Sequence, residues 1–79
     1  MDIARKLQEK GATVVAHKSK KMDNGPLEET IEIIYDGITW IIKASRNDNG
    51  TGTFRVLYAY SEKQIAEVYS VEDLVDLFN

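Results

Sequence analysis

One dipeptide constrains this chain more than any other feature. Asp36-Gly37 sits between two runs of β-forming residues, Thr30 to Tyr35 and Ile38 to Lys43. A two-residue loop of this type suits a type I′ turn, in which both central residues take positive φ. The turn also fixes the register: Tyr35 faces Ile38, Ile33 faces Trp40, and Ile31 faces Ile42. These three pairs share one side of the hairpin and are apolar or aromatic. The other side carries Ile34 with Thr39, Glu32 with Ile41, and Thr30 with Lys43. A slip of one residue would turn Glu32 and Lys43 inward, so the register is strongly specified.

The flanking sequence extends this hairpin into an α+β domain. Asp2 is placed to cap a helix over residues 3–10, with Ile3 and Leu7 on one face and Gly11 just past its end. Thr13 to Lys21 reads as a first strand, and Asn24-Gly25-Pro26 breaks regular structure after it. Residues 45–52 form a polar loop. Thr53 to Ser61 alternates as a further strand, Glu62-Lys63 turns the chain, and Gln64 to Tyr69 is a shorter strand. Ser70 is placed to cap a last helix, in which Val71, Leu74, Val75 and Phe78 follow helical spacing. The expected fold is an antiparallel meander of four or five strands between a short N-terminal and a C-terminal helix. The simplest packing lays both helices on the Ile31, Ile33, Trp40, Ile42, Phe54 and Val56 face.

Size and composition then bound the function. The 79 residues, 43% hydrophobic and 29% charged, make one globular domain with a modest core. By size scaling, about 63% of the unfolded chain's surface can be buried. No apolar run approaches the about 18–20 residues of a membrane span, and residues 1–5 lack a signal-peptide hydrophobic region. With no cysteine and one histidine, disulfides, thiolate metal sites, cysteine nucleophiles and two-histidine motifs are excluded. The missing cysteines favour a cytoplasmic setting.

Candidates for chemistry are thin. Asn49-Gly50-Thr51-Gly52 runs from strand to strand without a following lysine, so it reads as a hairpin loop and not as a phosphate loop. His17 has no carboxylate nearby in sequence to make it a general base. Glu28, Glu29 and Glu32, or Glu72, Asp73 and Asp76, lack the ligand spacing of a calcium loop. No catalytic or metal constellation can be assembled, and no cofactor is expected. The expected class is a non-enzymatic binding protein.

Three surfaces could serve recognition. The second sheet face is interrupted by Ile34, Ile41 and Leu57, with Ala59 and Val68 adjacent and with Glu32, Lys43 and Arg55 as a charged rim. Such a patch marks a protein partner or a homodimer, unless residues 3–10 fold over it. Charge is also uneven, against an overall −3. Residues 1–21 carry six basic side chains and two acidic ones, whereas residues 22–79 carry four basic and eleven acidic. Lys18, Lys20 and Lys21, with Arg46 and Arg55, would serve a nucleic-acid-binding module. The blander role for the three lysines is protection of an edge strand, and overall acidity opposes binding to polyanions.

Two families resemble the chain. A helix, three strands and a helix in this order resemble double-stranded RNA-binding domains. Those carry lysines at the start of the last helix, where this chain has Ser70-Val71-Glu72-Asp73. Residues 2–44 resemble small phage-encoded anti-CRISPR proteins: a short charged helix with Gly11 near its end, a strand beginning Thr13-Val14, a polar loop, and Ile-rich strands around Asp36-Gly37. The resemblance ends at Ala44, where a strand stands in place of helix. It implies an acidic inhibitor that mimics DNA to an RNA-guided nuclease, with Glu32, Asp36, Asp48, Glu72, Asp73 and Asp76 as phosphate mimics.

Overall fold

The Asp36-Gly37 turn organises the sheet. In a computed structural model describing residues 2–49 and 51–78, Asp36 has φ 53° and Gly37 φ 77°, as a type I′ turn requires. Strands β2 (Leu27–Tyr35) and β3 (Ile38–Arg46) leave it in the expected register, with Ile31 opposite Ile42, Ile33 opposite Trp40, and Tyr35 opposite Ile38. Strand β1 (Thr13–Lys21) flanks β2, and β4 (Thr51–Tyr58) then β5 (Gln64–Ser70) continue beyond β3. All neighbours are antiparallel, in the order β1-β2-β3-β4-β5. The α+β meander thus has five strands, and both β1 and β5 are edges.

Both helices are set by their ends. In α1 (Ile3–Glu9) the Asp2 carboxylate accepts from Arg5 N at 3.2 Å. At its other end Gly11 N donates to Gln8 O and Ala12 N to Leu7 O, with Gly11 at φ 101°. That pair of bonds closes the helix in a Schellman arrangement, which needs a left-handed residue at the glycine position. In α2 (Val71–Asp76) the Ser70 hydroxyl accepts from Asp73 N at 3.1 Å. Helices this short hold only by packing, and both lie on one sheet face. Their buried Ile3, Leu7, Val71 and Leu74, with Phe78, close over Ile31, Ile33, Ile42, Ala44, Phe54 and Val56. Phe78 meets Tyr35 edge-on at 5.3 Å, and Trp40 stacks on Tyr58 at 4.8 Å.

Strand ends differ from expectation. The polar stretch expected to loop over 45–52 is shorter, because Ser45 and Arg46 remain paired with Thr53 and Gly52. Backbone ladders continue into polar residues when the neighbouring strand is already in place. Of the Asn49-Gly50-Thr51-Gly52 stretch, Gly50 lies outside the described residues. The strand expected over Thr53 to Ser61 stops at Tyr58. There Tyr58 N donates to Lys63 O and Tyr58 O accepts from Glu62 N, so residues 59–63 form the connection. Tyr60 is left 92% exposed and belongs to no core.

Candidate functional site

Strand alternation places Ile34, Ile41 and Leu57 together on the face away from the helices. Glu32, Ile41 and Leu57 form one cross-strand row, and Ile34 is the next residue of that face along β2. Ile34 is exposed, while Ile41 and Leu57 are half-buried. Neither described helix covers them. The alternative in which residues 3–10 fold over this face is overturned, because Ile3 and Leu7 are fully buried against the other one. Val68, expected near the patch, also faces the helices, since it pairs with core residue Phe54. Bulges in the β4–β5 ladder set that parity.

The rim is organised row by row. Lys18, Thr30, Lys43, Arg55 and Glu67 lie across all five strands. Arg55 Nε donates to Glu67 Oε1 at 2.9 Å, and the Tyr69 hydroxyl donates to Glu67 Oε2 at 2.7 Å. The phenol's hydrogen bond, then the guanidinium, hold the Glu67 carboxyl below its ordinary range. The same hydrogen bond pushes the Tyr69 phenol up. Sequence reasoning did not assign Glu67 or Tyr69 to this face, because the β4–β5 register contains the bulges. Next to the rim, Glu28, Thr30, Lys43, Ser45, Thr53 and Arg55 line a shallow depression.

The other candidates scatter. Lys18 and Lys20 lie on the open face of edge strand β1. Lys21 turns the other way, 3.2 Å from Asp48, and Arg46 Nε lies 2.9 Å from Glu29 Oε1. Asp36 and Asp48 sit at opposite ends of β3, nine residues long and so about 30 Å apart. Glu72, Asp73 and Asp76 are exposed on α2 in the helix layer, on the opposite side of the sheet from Glu32. The acidic residues therefore do not form one surface; only the α2 trio is clustered.

A second constellation was not visible beforehand. Glu29 is 5% exposed and is the one buried charged residue among those described. Its Oε2 meets His17 Nε2 at 2.8 Å on the β1 side, and its Oε1 meets Arg46 on the β3 side. Arg46 supplies charge to Oε1 without an aligned hydrogen bond. Glu29 points to the helix side, whereas Glu28 and Glu32 point to the open face, so these three carboxylates do not converge. Among the described residues no cluster of three His, Asp or Glu could hold a metal ion, and no helix is long and apolar enough to cross a membrane. Comparison of the chain with protein-family models, curated proteins and solved structures found no match.

Proposed function

We propose that this protein is a non-enzymatic recognition module that binds a protein partner through the open face of its sheet. One observation carries the reading. Five strands have both helices on one side, and the uncovered side presents Ile34, Ile41 and Leu57 inside a rim of Glu32, Lys43, Arg55 and Glu67. An apolar centre with a polar rim is the anatomy of a protein interface. The rim mixes both signs of charge, which suits a protein surface better than a polyanion.

A nucleic-acid-binding module is the second reading. Lys18, Lys20, Lys43 and Arg55 share the open face, and they favour it, although Glu67 already neutralises Arg55. An inhibitor that mimics DNA, as the resemblance of residues 2–44 implies, would instead use Glu72, Asp73 and Asp76.

The test is affinity capture from the source cells with the wild type, with Ile41→Lys and Leu57→Lys, and with the double charge reversal Asp73→Lys, Asp76→Lys. Each variant is first checked for an unchanged melting temperature. A partner held by the wild type and by the α2 variant, but lost with both open-face variants, supports the reading. A partner lost only with the α2 variant replaces it with acidic mimicry. Duplex DNA or RNA bound at low salt more tightly than about 10⁻⁴ M, the weak end of non-specific affinity, replaces it with the nucleic-acid module.

A further inference from the structure

The two edges of the sheet are built differently. Strand β1 carries His17, Lys18, Lys20 and Lys21 and has a bulge between Val14 and Ala16. Lysines along an edge are an ordinary protection against strand pairing, whereas a register shift is common to both edges, at Val15 in β1 and at Ile65 in β5. Strand β5 carries one charge, Glu67, which Arg55 and Tyr69 already engage. It leaves Ile65 44% and Tyr69 61% exposed, with no lysine or proline.

We infer that β5 pairs antiparallel with β5 of a second copy, joining two sheets into one of ten strands. The self-complementarity of residues 66–70 selects the partner. A two-fold axis normal to the sheet requires each residue to oppose one of its own parity. Centring on Glu67 sets two carboxylates directly opposite, which is destabilising. Centring on Val68 sets Glu67 opposite Tyr69 of the second copy, acceptor against donor, and Ala66 opposite Ser70. The phenol that donates to Glu67 along its own strand then has a second carboxylate across the new ladder, about 5 Å away between Cβ atoms.

The helix layer adds to this edge. Lys6 of α1 lies beside Val71, Glu72, Val75 and Asp76 of α2, so that flank of α2 faces α1. At about 100° per residue, Leu77 falls some 200° round from Val75, on the flank above the β5 edge. It is 46% exposed and still helical in backbone, with φ −67°. A five-residue pairing with one flanking leucine is smaller than the about 1,200 Å² of a stable interface, so the dimer is reversible. This inference is independent of the open-face reading.

Sedimentation equilibrium from low micromolar to about 1 mM tests it. The wild type should show a monomer–dimer equilibrium. Tyr69→Glu, at an exposed position, sets a carboxylate opposite Glu67 of the second copy and should weaken that equilibrium about tenfold or more, and Ile41→Lys should leave it unchanged. Because the chain has no cysteine, the register can be read by oxidation. An equimolar mixture of Glu67→Cys and Tyr69→Cys should form the mixed disulfide faster than either variant forms its own. In this register identical positions lie beyond the about 7 Å Cα limit for bridging. A wild type monomeric throughout, a dimer lost with Ile41→Lys but kept with Tyr69→Glu, or disulfides formed equally in all three samples overturns the proposal.

Discussion

His17 and Glu29 meet diagonally across two strands. His17 is paired with Ile31 and Glu29 with Ser19, yet Nε2 and Oε2 are 2.8 Å apart. Arg46 reaches the same carboxylate from the opposite strand, at a side-chain exposure of 14% against 34% for His17. Glu29 therefore ties β1 to β3 through β2, at the end of the core where apolar side chains run out.

That geometry makes the cost of losing each partner unequal. Glu29→Ala removes the buried carboxylate that Arg46 and His17 both engage and so breaks a mostly buried ion pair, which costs about 3 kcal/mol. For a chain of this size the melting temperature should fall by more than about 10 °C. His17→Ala exposes less and leaves Arg46 paired, so it should cost about 1 kcal/mol or less. Urea unfolding followed by Trp40 fluorescence measures both. Equal losses would show that Glu29 is not held chiefly by Arg46.

Two glycines separate conformational from steric cost. Gly37 needs positive φ, and a Cβ there would meet nothing within 4 Å. Gly37→Ala should cost about 1 kcal/mol. Gly52 faces Arg46 across β3 and β4, where a Cβ would collide with the Ser45 carbonyl oxygen and lie 2.6 Å from Arg46 Cα. Close backbone approach is the ordinary reason for a glycine inside a strand. Gly52→Ala must push the two strands apart and should cost about 3 kcal/mol. Unfolding midpoints that rank Gly37→Ala as the worse variant would refute this.

The part of the fold nearest Asp36-Gly37 was legible because a two-residue turn dictates register. Ile34 and Ile41 could be put on one face by counting from it, and Leu57 by its alternation with Phe54 and Val56. The helices were legible from Asp2, Gly11 and Ser70, whose side chains or conformations act within a few residues. Glu29 was not, because residues 22–26 do not dictate how β1 aligns with β2, and the bulge at Val15 shifts that alignment again. Glu67 was hidden in the same way by the bulges opposite β5. Alternation from Ile33 and Ile31 does carry back to Glu29, and was the one available sign that this carboxylate faces inward. The alternation of Ile31, Ile33, Ile42, Phe54 and Val56 marked the face that the helices cover, and both helices are found there; it did not by itself place residues 3–10, because a short helix is positioned by long-range packing.

The Glu67–Tyr69 hydrogen bond gives stability two pH limits of opposite sign. The Glu67 carboxyl is lowered in the fold, by Tyr69 first and Arg55 second. Its contribution is complete above the ordinary carboxyl value of 4.5 and is lost as pH falls through the lowered one. The Tyr69 phenol is raised by the same bond. Its contribution is complete below the ordinary phenol value of 10.0 and is lost as pH rises through the raised one. Tyr69→Phe removes the donor, so the alkaline loss should disappear. The Glu67 midpoint should rise but stay below its ordinary value, because Arg55 still lies 2.9 Å away. Carbon-detected NMR of the Glu67 carboxyl, at a concentration where the chain is monomeric, reads this midpoint directly. A midpoint unmoved by Tyr69→Phe would mean that Arg55 alone sets it, and that the phenol remains free to bond elsewhere.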